Sequence, residues 1–156
     1  MSKTYRVYYD SPIGIIEIKG TEEVILSIMY VDESKPNEEN ELLIKCCNEL
    51  DEYFKGKRKD FTIKVSWNGT EFQNKLWNQL TKIPFGKTVT YKEIAQFIGN
   101  PKAVRAVGNA NGKNILNILV PCHRVIGSNG SLTGYSGGIW RKEWLIRHEK
   151  NINDIN

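Results

Sequence analysis

The periodicity of the apolar residues changes in the middle of the chain, and no single regular architecture accommodates both halves. Before Ser66-Trp67-Asn68-Gly69, short β-branched and aromatic segments predominate: Tyr5 to Asp10, Ile13 to Lys19 and Val24 to Tyr30, separated by Ser11-Pro12 and Gly20-Thr21. That spacing predicts a meander of antiparallel strands. Asp32 to Asn40 is polar and reads as a loop, after which Leu43, Cys46 or Cys47, Leu50 and Phe54 recur at helical spacing up to a stop at Gly56. Phe61 to Val65 is expected as a further strand. Residues 1–66 are thus expected to form an N-terminal α/β domain.

Residues 67–156 show short helices with clear start signals. Thr70 with Gln73 and Thr90 with Glu93 have the spacing of capping boxes, in which hydroxyl and longer side chain each satisfy a free backbone N–H. The first helix carries Phe72, Leu76, Trp77 and Leu80; the second carries Ile94, Ala95 and Ile98 and stops at Gly99. Asn100-Pro101 reads as an N-cap followed by proline at the first helical position of a third helix, through Ala103, Val104, Ala106, Val107 and Ala110. The last two helices have helix-turn-helix proportions, common to DNA-binding proteins and to many that bind no DNA. The second of them is low in profile, and Arg105 is its central cation.

Charge follows the same division. Residues 1–66 hold 10 Lys+Arg against 13 Asp+Glu, net −3, and residues 67–156 hold 12 against 5, net +7. The basic half attracts polyanions, although a solvated lysine-rich surface has the same composition. No apolar run approaches the roughly 20 residues that span a bilayer, and the N-terminus lacks a signal-peptide pattern, so a soluble, cytoplasmic protein is expected.

Three cysteines without CxxC or CxxxC spacing suggest neither a disulfide framework nor a zinc site. Cys46 and Cys47 read as helix packing. Cys122 differs, standing in Ile118-Leu119-Val120-Pro121-Cys122-His123-Arg124-Val125-Ile126, an apolar stretch expected to be extended. Successive side chains of an extended chain point to opposite faces, so direct pairing of Cys122 with His123 is awkward and a bridging water suits the spacing better. A free thiol titrates near about 8.5 and needs a base or positive surroundings to become a nucleophile.

Pro121-Cys122-His123-Arg124-Val125 occurs together with Thr90-Tyr91-Lys92-Glu93-Ile94-Ala95, Arg105-Ala106-Val107-Gly108, Gly134-Tyr135-Ser136-Gly137-Gly138, and Lys142-Glu143-Trp144-Leu145 leading to His148-Glu149. In these motifs, their order and their spacing, the chain resembles the O6-alkylguanine-DNA alkyltransferases. The resemblance covers residues 67–156 closely, and Asp10-Ser11-Pro12-Ile13-Gly14 resembles the start of the family's N-terminal domain. It implies a ribonuclease-H-like α/β N-terminal domain and a mainly α C-terminal domain with a winged helix-turn-helix. It also implies single-turnover repair of double-stranded DNA: the nucleotide is flipped out through the minor groove and the alkyl group passes irreversibly from guanine O6 to Cys122.

Residue by residue, the resemblance makes Cys122 the acceptor, His123 its base through water, and Glu149 the carboxylate that orients the base. Tyr91 becomes the donor to the leaving guanine, Asn114 the support of the active-site loop, Tyr135 and Ser136 the walls of the base pocket, and Arg105 the finger that fills the vacated stack. No metal, organic cofactor or membrane is implied, and the protein is expected to act as a monomer, with cooperative assembly on DNA left open. Ile115 stands where the family commonly has proline. Two other functions fit the same residues: a non-catalytic damage-binding or regulatory helix-turn-helix module with an inert Cys122, and a Cys-His hydrolase.

Overall fold

A computed structural model describes residues 3–155; Met1, Ser2 and Asn156, the outer ends of the two expected domains, lie outside the described residues. The chain divides into two compact units, Met1–Trp67 and Asn68–Asn156.

In the first unit, β1 (Tyr5–Ser11), β2 (Gly14–Gly20) and β3 (Ile25–Val31) form an antiparallel meander in the order β1-β2-β3. The register runs from Tyr5 opposite Gly20 to Ser11 opposite Gly14. Alternation sends Val7, Ile16, Ile18, Ile25 and Ile28 into the core. Helix α1 (Glu41–Phe54) covers them with Leu43, Cys46 and Leu50. Its start is fixed by Asn40, whose side chain accepts from the Leu43 N–H at 2.9 Å.

Phe61 to Val65 does not form the expected strand. Buried Glu49 of α1 accepts from the Thr62 N–H at 2.8 Å and from its hydroxyl, taking a donor that a ladder would need. Contact with β3 is reduced to one parallel bridge between Ile25 and Val65.

In the second unit, both capping boxes are formed: Thr70 and Gln73 open α2 (Glu71–Leu80), and Thr90 and Glu93 open α3 (Tyr91–Phe97). The third helix, α4 (Val104–Gly112), starts later than expected, with Ala103 as its N-cap and no side-chain cap. Asn100 is occupied in ending α3: with Gly99 at φ 80° the chain reverses, and the Asn100 N–H donates to the Ala95 carbonyl at 2.9 Å. Pro101 follows outside both helices, and α4 is anchored through the indole N–H of Trp77 on the Ala110 carbonyl at 3.0 Å.

A two-residue parallel ladder joins β4 (Val89–Thr90) to β5 (Val125–Ile126). It sets the start of α3 beside the Cys122 segment. The long α5 (Ile139–Ile155) closes the unit. No helix among the described residues is long and apolar enough to cross a membrane.

The segment before β5 is not extended. Ile118 has φ 73°, a strained value for a β-branched residue, and Cys122–Arg124 form a single 3-10 turn. The Cys122 N–H donates to Val120 at 2.8 Å and the Arg124 N–H to Pro121 at 3.0 Å. Local bonds replace a ladder here, so the alternation expected between Cys122 and His123 does not apply.

Candidate active site

The turn at Cys122–Arg124 buries three polar side chains in succession, and each finds a different electrostatic environment. Cys122 is 3% exposed. Burial pushes its thiol up to about 11, against the opposing pull of an Asn114 hydrogen bond, the Lys142 charge and a backbone N–H. At neutral pH the resting group is therefore a thiol, and it needs a base to react.

His123 is fully buried, with Nε2 2.6 Å from Glu149 Oε2. Glu149, near the middle of α5, also accepts from Arg124 through Nε at 2.8 Å and Nη2 at 3.1 Å, and from the Gly86 N–H at 3.1 Å. The third Arg124 donor is satisfied by the Ile83 carbonyl at 2.7 Å. Burial alone would raise the Glu149 carboxyl, but His123 and Arg124 outweigh it and hold it well below the usual carboxylate range. An ionised carboxylate can only accept, so Nε2 carries the imidazole hydrogen and Nδ1 presents its lone pair. That Nδ1 is buried and has no hydrogen-bond partner among the described residues. Burial also lowers the His123 pKa against the pull of Glu149, which keeps the ring neutral. A neutral, oriented imidazole beside a buried thiol is the arrangement of a general base and a nucleophile.

Asn114 ties the loop together. Its Nδ2 donates to the Val120 carbonyl at 2.9 Å, and its Oδ1 accepts from the Leu116 N–H at 2.9 Å. Tyr91, the first residue of α3, is buried and donates its hydroxyl to the Thr133 carbonyl at 2.9 Å. Tyr135 is buried and Ser136 exposed in the following glycine-rich loop. Arg105 is not part of this buried cluster; it stands on the exposed face of α4 near Gly108, above which there is open space.

Three buried residues of this site are absent from the sequence-based assignment. Arg124 was visible only as a letter of the Pro121–Val125 motif. Lys142 is 0% exposed, an unusual state for lysine; its Nζ donates to the Thr133 carbonyl at 2.8 Å and to the Tyr91 hydroxyl at 3.2 Å. Its position three residues into α5 gave no hint of burial. Asn111, on α4, donates from Nδ2 to the Cys122 carbonyl at 3.2 Å.

Comparison with known proteins gives a consistent result. Residues 71–151 match the 6-O-methylguanine DNA methyltransferase DNA-binding domain, and residues 4–67 match the ribonuclease-like domain of the same proteins. The chain is 47% identical over 152 residues to the methylated-DNA--protein-cysteine methyltransferase of Methanosarcina acetivorans, covering 93% of this chain and 97% of that protein. It is 43% identical over 148 residues to the protein of that name from Mycobacterium leprae, covering 91% and 90%.

Among solved structures, the Mycobacterium tuberculosis O6-methylguanine methyltransferase superposes with a TM-score of 0.88 at 39% identity, over 96% of this chain and 94% of that one. Mycobacterium tuberculosis OGT in complex with DNA gives 0.86 at 40% identity, over 93% and 92%. With both halves matched by their own family models and near-complete coverage by close relatives, the chain belongs to the 6-O-methylguanine DNA methyltransferase family.

Proposed function

We propose that this protein repairs O6-alkylguanine in double-stranded DNA by moving the alkyl group to Cys122. The observation that carries the reading is the buried Cys122 thiol next to a neutral His123 whose hydrogen is fixed on Nε2 by Glu149. In the proposed reaction, the thiol proton passes through a water molecule to His123 Nδ1, and Glu149 stabilises the resulting imidazolium. The thiolate attacks the alkyl carbon. The new S–C bond forms as the C–O6 bond breaks, its electron pair leaves on guanine, and Tyr91, its hydroxyl turned from the Thr133 carbonyl toward the ring, stabilises that charge.

The buried Lys142 ammonium suits both ends of this charge movement, because it favours the thiolate and already donates to the Tyr91 hydroxyl. Nothing in the site resembles a group able to cleave a thioether, so the reading makes transfer irreversible and each molecule good for one turnover.

O6 of a stacked, paired guanine is out of reach of a buried sulfur, so the nucleotide has to leave the helix. In this reading α3 and α4 form the helix-turn-helix, α4 enters the minor groove, Arg105 fills the vacated stack, and Tyr135 and Ser136 bound the base pocket. Asn114 holds the loop. Residues 1–66 serve as the N-terminal domain and 67–156 as the DNA-binding and acceptor domain of a cytoplasmic monomer.

Intact-mass measurement after mixing with an O6-methylguanine duplex tests the reaction. One methyl group on Cys122 of the wild-type protein, absent in Cys122→Ala with duplex binding retained, is the expected result. An unmodified wild-type sulfur with tight binding would leave a damage-binding module instead. For Arg105→Ala, slower transfer is expected, with the thiol still reactive toward iodoacetamide.

A further inference from the structure

The Glu149–Arg124 ion pair borders a cavity of about 540 Å³, enclosed by the loop 86–88, β5 with the turn that follows it, and the last turns of α5. Cys122, His123, Tyr91 and Asn114 are not among its lining residues, so it is separate from the space around the sulfur, and alkyl transfer gives it no role. Its deepest polar lining is nearly closed to solvent: Arg124 is 7% exposed and Glu149 1%. The Glu149 oxygens are engaged by His123, Arg124 and Gly86. Arg124 gives three of its five N–H groups to Glu149 and the Ile83 carbonyl. Two hydrogens remain, one on each terminal nitrogen, with no acceptor among the described residues.

The lining holds three cations, Lys87, Arg124 and Lys150, against two carboxylates, Glu149 and Asp154, a net charge of +1. Glu149 is already matched by Arg124. Lys87 and Lys150 stand on two different walls, both exposed, and neither has an ion-pair partner among the described residues. Ile126, Leu132 and Ile146 supply an apolar side.

We infer that this cavity binds a small phosphate monoester, its phosphate held between Lys87, Lys150 and the two spare N–H groups of Arg124, and its organic part against Ile126, Leu132 and Ile146. Cavities of roughly 300–1,000 Å³ with apolar walls and a few convergent polar groups are the usual form of small-molecule sites. Donors arriving from a loop, a helix and a turn suit the three oxygens of a phosphate better than the two coplanar oxygens of a carboxylate.

Titration of the ¹⁵N-labelled full chain with phenyl phosphate, followed through its amide NMR shifts, tests this. Saturable shifts at Gly86, Lys87, Thr88 and Gly130 are expected, weaker with inorganic phosphate and absent with phenol. Lys87→Ala and Lys150→Ala are each expected to weaken binding roughly two- to fivefold, the range for ion pairs open to solvent. Undamaged duplex, the other source of phosphate, is expected to shift α4 and leave these amides in place.

Shifts that never saturate, an equal response to phenol, or an affinity unchanged in both lysine variants would overturn the assignment. So would duplex moving the same amides in the wild type and not in the lysine variants, which would make the cavity a contact for the DNA backbone.

Discussion

At the level of single residues, two buried cations of the site are handled in different ways, one paired with a carboxylate and one not. Arg124 grips both Glu149 oxygens and the Ile83 carbonyl, so the carboxylate stays ionised despite its burial and in turn dictates the imidazole tautomer. Lys142 is handled differently. Its ammonium donates to a carbonyl and a phenol, neither of them an anion, which leaves much of its positive field to act on its neighbours. That field opposes the burial that raises Cys122. Substituting Lys142→Met is expected to move the pH midpoint of Cys122 alkylation by iodoacetamide upward by about one pH unit or more. Methyl transfer at neutral pH is expected to slow by at least about tenfold, since one pH unit is worth ~1.36 kcal/mol. An unchanged alkylation profile in a folded variant would show that the ammonium does not act on the sulfur.

At the level of elements, what was legible in the sequence was what is decided locally. Thr70 with Gln73 and Thr90 with Glu93 satisfy their own neighbours' N–H groups, so both helix starts could be read directly. Asn100-Pro101 carried an equally good start signal, but Asn100 closes the preceding helix, an outcome set by Gly99 three-dimensionally and not by the dipeptide. Phe61 to Val65 had strand composition and lost its ladder to Glu49, which is distant in sequence. At the candidate site, Cys122, His123, Glu149, Tyr91 and Asn114 could be nominated because their motifs match a family pattern, and the structure buries all five. The 3-10 turn at Cys122–Arg124 could not be named, because it follows a backbone at Ile118 that composition does not reveal. Lys142 and Asn111 stayed hidden because burial of a lysine or an asparagine is a property of packing, not of spacing. Removing the α3 cap with Thr90→Ala is expected to cost about 1 kcal/mol in urea unfolding. Because α3 begins with Tyr91, the same change should slow alkyl transfer more than it weakens duplex binding; equal losses in both would argue against a local effect.

For the whole molecule, the buried triad makes stability depend on pH. His123 and Glu149 both have folded-state pKa values below their ordinary 6.5 and 4.5, so the unfolded chain binds more protons than the native one in acid. Their contribution is present near neutrality, declines as pH falls below about 6.5 through His123, and declines again below about 4.5 through Glu149. Each contributes a slope of up to ~1.36 kcal/mol per pH unit. Cys122 acts in the opposite direction: its raised folded value makes the native state lose stability once the unfolded thiol ionises, above about 8.5. Urea unfolding between pH 4 and 9 should therefore trace a dome. In His123→Gln its acid side should be shallower between pH 6.5 and 5; identical profiles would mean that the imidazole titrates alike in both states.

Helix α4 has nine residues, about 13 Å of rod. Near one end it exposes Arg105, and near the other its Asn111 amide holds the Cys122 carbonyl. Under the proposed function, any tilt that a duplex imposed on so short a segment at Arg105 would reach the amide that holds the Cys122 backbone.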